Sequence, residues 1–404
     1  MQNFVQHVRE AKKRLDDLIV PTSLAYAPKL SQIAQASVYL KKENLQLTGA
    51  FKIRGAFNKI ASLPQSIRQK GVIAASAGNH AQGVAYSSRH FGIPSVIVMP
   101  EATPLLKVGA TKELGAEVVL AGDNYDEAYQ KALQIAQERD LVFIHPFADE
   151  EVIAGQGTIA LEMMEQMDNI DTVVVPVGGG GLIGGIAGAY KALKPSVRIV
   201  GVVAKGADAM KRSFEQGHIQ KVDSVRTIAD GIAVRDVNAL NFELIQKYVD
   251  VMVSVDDEEI ASAILFLIEK QKLVVEGAGA ACVASVLRHK FDINPKENVA
   301  LVLSGGNIDV SMLGLIIEKG LLKTHRKMKF EVCLVDKPGS LQNLTDILTK
   351  AGANIVQIDY DRTSATLEYG DALVTMALET KGKEHKELVF EQLRKNGYHF
   401  KEIN

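Results

Sequence analysis

Cysteine is nearly missing from this chain: only Cys282 and Cys333 occur among 404 residues, far apart and without paired spacing. That excludes a disulfide framework and a cysteine-rich metal site, and it fits a reducing compartment. An excess of one charge is missing too, since 46 Lys and Arg face 48 Asp and Glu for a net charge of −2. Nothing therefore points to nucleic acid or to an anionic membrane surface. No apolar run is long enough and free enough of polar residues to span a bilayer, and the N-terminal MQNFVQHVREAKKRL carries charges throughout, unlike a signal peptide. Repeats and low-complexity tracts are absent as well. What remains is a chain with 47% hydrophobic and 23% charged residues, the profile of a globular, cytoplasmic protein of two or three domains.

From about Ser37 to Ser304, short apolar runs alternate with amphipathic stretches. GVIAAS, SVIVMP, AEVVLAG, LVFIHP, DTVVVPV, VRIVGVVA and NVALVLS read as buried strands. Between them lie helix patterns such as AQGVAYSSRHFG and NYDEAYQKALQIAQERD. This rhythm predicts an α/β fold of parallel sheets covered by helices, with ligands collecting at the carboxyl ends of strands. The pattern changes near Lys319, where KGLLKTHRKM reads as a basic linker. Strand, turn, helix, strand, strand, helix and strand follow from MKFEVCLV to YHFKEI, which predicts a ferredoxin-like βαββαβ module able to fold alone.

Four segments carry candidate chemistry. In LTGAFKIRGA, Lys52 lies between Phe51 and Ile53, and a desolvated amine there would be a nucleophile and base. Read alone, it is better taken as a surface lysine in a helix that also holds Arg54 and Lys59. In DTVVVPVGGGGLIGG, a strand runs into Gly178, Gly179, Gly180, Gly181 and Leu182, where bare N–H groups at a helix start form an anion cradle. Gly179, Gly181 and Gly184 also satisfy G-x-G-x-x-G, but the next strand ends in Val202, Val203, Ala204 and Lys205, without the acid that a dinucleotide ribose needs. In ASAGNHAQG, Ser76 and the backbone around Gly78 suit a carboxylate, and the Asn79 amide suits a ring hydroxyl. An ordinary helix cap explains the same residues, and His80 alone reads as a satisfied helix histidine. Ser304 ends the strand of LVLSGGN, a common strand-end turn when taken singly. Together these parts describe an aromatic phosphate with a carbonyl.

From about Pro21 to Ser311 the chain resembles the serine/threonine dehydratase family of fold-type II pyridoxal-phosphate enzymes. TGAFKIRGA, SAGNHAQG, VIAGQGTIALE, GGGGLIGG and LSGGN stand in that family's order, and PTSLAYAPKLS resembles its N-terminal strand. The resemblance implies a two-lobed catalytic domain over 1–318, with a small lobe near 45–150. It implies pyridoxal 5'-phosphate held by Lys52 as a Schiff base, with Phe51 beside it. Gly178, Gly179, Gly180, Gly181 and Leu182 would take the phosphate, Asn79 the ring hydroxyl and Ser304 the pyridine nitrogen. Ser76, Ala77, Gly78, Asn79 and His80 would form the substrate-binding segment. Threonine is the expected substrate and serine a poorer one, with loss of the β-hydroxyl and release of ammonia as the reaction. A serine dehydratase, a racemase of the same fold and an idle amino-acid sensor are the alternatives. Related racemases carry a proton-returning serine where this chain has Ala77, which favours elimination. Several relatives hold a cation with a glutamate where this chain has Val203, so no metal is expected there.

After a linker at 319–328, residues 329–404 resemble an ACT domain through VCLVDKPGSLQNLTDILTKAGANIVQIDYDR. That likeness implies an amino-acid site at Asp336, Pro338 and Gly339, a branched-chain effector, and pairing of subunits into a homodimer or homotetramer. A purely structural dimerisation module is the other reading.

Overall fold

The computed structural model describes residues 2–403, and the chain divides into two compact units, Met1–Asp309 and Val310–Asn404. In the first unit two sheets form. The larger has six strands: β1 (Leu24–Tyr26), β2 (Ser37–Lys41), β7 (Thr172–Pro176), β8 (Arg198–Ala204), β9 (Val251–Val255) and β10 (Asn298–Val302), in the order β1-β2-β10-β7-β8-β9. The smaller holds β3 (Val72–Ala75), β4 (Ser95–Met99), β5 (Glu117–Leu120) and β6 (Val142–Phe143), in the order β5-β4-β3-β6. All pairings are parallel except that of β1 with β2.

The apolar runs explain this arrangement. Every residue of β3, β4 and β7 is buried, so both faces of each strand are covered, and the connections between them are helices. AEVVLAG differs from the expected buried strand: β5 lies at a sheet edge and leaves Glu117 and Leu120 exposed. Helices Lys52–Ser62, Asn79–Phe91, Glu150–Gln166 and Gly181–Leu193 pack around these sheets. The aliphatic core over the large sheet includes Val173, Val175, Ile183, Ile186 and Val302, and the one over the small sheet includes Val72, Ala74, Val84, Ile97 and Met99. The Lys52 and Asn79 helices meet closely where Gly83 lies against the backbone of Lys52 and Ile53.

The second unit opens with helix Val310–Lys323, and β11 begins at Lys327. The stretch 319–328, expected as a linker, therefore holds the end of a helix, a short turn and the start of a strand. β11 (Lys327–Val335), β12 (Asn354–Asp361), β13 (Asp371–Glu379) and β14 (Phe400–Ile403) form an antiparallel sheet in the order β12-β13-β11-β14. Helices Ser340–Lys350 and Lys383–Lys395 complete the ferredoxin-like βαββαβ unit. Alternation decides its form. Met328, Phe330, Val332 and Leu334 are buried against Leu344, Leu348, Val389 and Leu393, while the residues between them are not.

Candidate active site

The site of the first unit gathers at the carboxyl ends of β3, β7 and β10, where Ser76, the glycine run and Ser304 follow their strands. Lys52 reaches it because the segment before it is stitched to the segment after β10. The Phe51 N–H donates to the Ser304 carbonyl at 3.0 Å, the Gly306 N–H to the Gly49 carbonyl at 2.9 Å, and Asn307 Nδ2 to the Thr48 carbonyl at 2.7 Å. Ala50 and Gly305 form an antiparallel bridge. Residues some 250 positions apart in the chain are thus held side by side.

Lys52 is the first residue of its helix and part-buried, with Nζ donating to the Pro146 carbonyl at 2.8 Å. Its amine lies 5.4 Å from the Phe51 ring centroid and 6.0 Å from that of Phe147. Burial pushes its pKa down to about 8 although the Glu276 carboxylate pulls it upward. A lysine so placed carries a free amine far more often than a solvated one.

The glycine run leads from β7 into a helix whose N-cap, Gly180, has φ +90° and no side-chain cap. Its first-turn N–H groups are therefore without a capping side chain, which makes an anion cradle. Side chains are excluded here: a Cβ on Gly179 would lie 2.4 Å from the Phe147 ring. Phe147 thus borders both the cradle and Lys52. Asn241 Nδ2 donates to the carbonyls of Gly179 at 2.6 Å and Phe147 at 3.1 Å, which holds the two walls together.

Ser304 is 1% exposed, and its hydroxyl has no hydrogen-bond partner in the protein. A buried hydroxyl left unpaired costs stability unless a ligand meets it. The Asn79 helix also starts without a side-chain cap, at Gly78, whose N–H bonds the Ser76 hydroxyl at 3.2 Å. Asn79 Nδ2 donates to both oxygens of Glu276, at 2.9 and 3.0 Å, and Asn79 Oδ1 accepts from Asn307 Nδ2 at 2.8 Å. Ala77 packs its methyl against the small-lobe core. His80 faces away from substrate chemistry: it is buried, its Nε2 meets the Ile144 carbonyl at 2.8 Å, and burial together with Lys52 pushes its pKa down to about 3. Whatever His80 gives a substrate comes from its backbone at the helix start.

The structure therefore brings Lys52, Phe51, Ser76, Ala77, Gly78, Asn79, the glycine run and Ser304 into one region. Asp336, Pro338 and Gly339 belong to the second unit, at the turn between β11 and helix Ser340–Lys350. Sequence reasoning passed over Phe147, Asn241, Glu276 and Asn307. A carboxylate directly before the glycine-rich GAGAA was the visible signal for Glu276, and Asn307 closes the LSGGN motif already singled out. His145 was also passed over: its Nδ1 accepts from the N–H of Ala148 at 2.8 Å, and burial and Lys52 lower its pKa to about 4, so it shapes the turn as a neutral ring.

These groups fit pyridoxal phosphate. The bare helix start suits its phosphate, the orphaned Ser304 hydroxyl its ring nitrogen, and the Lys52 amine its carbonyl.

Comparison with known proteins agrees with this chemistry. The family model described as "Pyridoxal-phosphate dependent enzyme" matches residues 15–305. An L-threonine ammonia-lyase of Thermotoga maritima is 48% identical over 394 residues, 98% of each chain, so the match includes both units. Among solved structures, threonine deaminase isoform 2 of Solanum lycopersicum superposes with a TM-score of 0.75 at 38% identity, covering 80% of this chain and 89% of that one. Maize serine racemase gives 0.74 at 34% identity, with 80% and 98% covered. The chain belongs to the family of pyridoxal-phosphate dependent enzymes.

Proposed function

We infer that this protein is an L-threonine ammonia-lyase, which converts threonine to 2-oxobutanoate and ammonia and accepts serine less well. The observation that carries the chemistry is the pairing of a low-pKa amine, Lys52, with an unpaired buried hydroxyl, Ser304, across backbone bonds that fix both. The likeness over nearly the whole length of an L-threonine ammonia-lyase supports the choice of substrate. Pyridoxal phosphate, when bound, supplies an electron sink for a substrate carbanion. Gly178, Gly179, Gly180, Gly181 and Leu182 would hold its phosphate, Phe51 would pack beside it, Asn79 would meet its ring hydroxyl and Ser304 its ring nitrogen. Lys52 Nζ tethers the cofactor at rest and takes the proton from the substrate Cα as general base. Ser76, Gly78 and the adjoining N–H groups of the Asn79 helix bind and orient the substrate carboxylate. Ser304, a neutral hydroxyl, leaves the ring nitrogen less protonated than an aspartate would, and Ala77 has no proton to return to the opposite face. Both favour elimination over racemisation.

The second unit acts as an ACT-type regulatory module, with a branched-chain amino acid at the Asp336–Gly339 turn and pairing between copies of the chain. Gly339 starts the helix there without a side-chain cap, and the Asp336 carboxylate pairs with Arg362 at 2.5 Å and accepts from Tyr360 Oη at 3.1 Å. The decisive experiment is a keto-acid assay with threonine and serine, with and without isoleucine or valine, on the wild type and Lys52→Ala. Lys52→Ala is expected to lose at least about 10⁴-fold in kcat, since it removes tether and base together, and to lose the visible absorption of the bound cofactor. A Lys52→Ala protein that keeps its activity and colour would sink the assignment. Indifference to both amino acids would remove the effector.

A further inference from the structure

The Asn79 amide is held from two sides, and the grip fixes its direction. On one side Nδ2 faces both oxygens of Glu276; on the other, Oδ1 accepts from Asn307 Nδ2. Asn307 Nδ2 spends its second hydrogen on the Thr48 carbonyl. A flipped Asn79 would set its oxygen against a carboxylate and its hydrogens against those of Asn307, so one orientation alone satisfies the network. One hydrogen of Asn79 Nδ2 then turns to Glu276 and the other is left for a ligand.

Glu276 is placed for this task and no other visible one. It is 3% exposed and stands at the N-cap of helix Gly277–Leu287, yet its side chain does not cap that helix. Its backbone N–H is anchored on the Gly305 carbonyl at 3.0 Å. Space around the carboxylate is closed, since a Cβ on Gly305 would fall 2.4 Å from Oε1. No salt bridge neutralises it among the described residues, and Asn79 is the donor that meets it. We propose that Glu276 is a positioning residue for the cofactor: through Asn79 it aims a hydrogen-bond donor at the ring hydroxyl, and its charge sets how firmly that donor is held. This rests on the reading that Asn79 faces the ring hydroxyl of pyridoxal phosphate.

The charge of Glu276 changes within the working range. Burial raises its carboxyl to about 7, Asn79 opposes that rise, Asp230 adds to it, and Lys107 and Lys52 oppose it. Lys52, Lys107 and Asp230 are the charged groups that face it. Below neutrality the carboxyl holds its proton and accepts weakly from Asn79. Above, the carboxylate accepts strongly and holds the amide firmly in that orientation.

The test is the visible spectrum of the full-length, cofactor-loaded protein followed across neutral pH, with kcat and KM for threonine alongside. The wild-type band is expected to shift as pH is raised through neutrality, since burial raises the Glu276 carboxyl from its ordinary range. Glu276→Gln, which keeps shape and loses charge, is expected to erase that shift and to lower kcat roughly tenfold with little change in KM. Glu276→Asp keeps the charge but withdraws it, and is expected to retain the shift with a displaced midpoint. A Gln variant that titrates like the wild type overturns the proposal, and so does an Asp variant with an unmoved midpoint if the Gln variant does not fold. A wild-type band that ignores pH overturns this proposal alone. A wild-type protein with no visible band overturns the site assignment as well.

Discussion

The two faces of the Lys52 helix use charge in opposite ways. Behind the lysine, Arg54 is fully buried and spends its guanidinium on Glu43, Glu162 and Thr158, with Nε and Nη2 each 2.8 Å from a Glu43 oxygen. Lys41 joins them, with Nζ 2.6 Å from Glu162 and 2.6 Å from the Thr22 carbonyl. Two cations and two carboxylates balance there, and Thr22 adds a hydrogen bond to Glu43. Burial lifts the Glu162 carboxyl, but Arg54 and Lys41 outweigh it and hold the group below its ordinary range. In front of the lysine the balance is incomplete by design of the fold. Ser304 Oγ lacks a partner, two helices begin uncapped, and a buried carboxylate answers to an amide rather than to a cation. A satisfied polar cluster holds backbone in place, whereas an unsatisfied one marks where a ligand belongs.

Breaking the rear network gives the largest effect on stability. Arg54→Ala leaves Glu43 without its paired cation and Glu162 with Lys41 alone, which costs about 3–5 kcal/mol and is read as an earlier unfolding transition of the catalytic unit in urea. An unaltered transition would mean the cluster is not the anchor of the Lys52 helix. On the front face, Gly179→Ala pushes a methyl against the Phe147 ring, a strain of about 1–3 kcal/mol that weakens cofactor binding roughly 5- to 150-fold in a titration of cofactor-free protein. Equal affinity for both proteins would place the phosphate elsewhere. Ser304→Ala has the smallest effect and sharpens the contrast most. Its hydroxyl bonds nothing in the protein, so thermal stability without cofactor should not fall, while affinity for pyridoxal phosphate drops about 2- to 10-fold for one lost hydrogen bond. A Ser304→Ala protein destabilised without cofactor would show that the hydroxyl serves the fold.

Much of the fold was legible because parallel sheets leave a plain mark. Strands covered on both faces must be apolar throughout, as β3, β4 and β7 are, and the alternation of β11 announced a sheet with one covered face. The errors came where context outranked pattern. β5 reads as apolar as its neighbours yet ends at an edge, and KGLLKTHRKM reads as basic and loose although a helix continues to Lys323. The burial of Arg54 was not legible, because sequence shows a residue's charge but not its partners, and Glu43 and Glu162 come from other segments.

By itself the sequence determined the parts: an ordered set of motifs, a glycine run that only a close backbone approach requires, and two units of different sheet type. Those are local properties, written in residue size and spacing. Only the tertiary structure decided the relations. It set Ser304 beside Lys52 through bonds between the 48–51 and 304–307 segments, buried Arg54 among carboxylates, and turned Glu276 toward Asn79. Desolvation and pairing exist only once distant residues meet. A lysine that the sequence could not tell from a surface residue thereby becomes an amine with a pKa near 8 at the edge of an anion cradle.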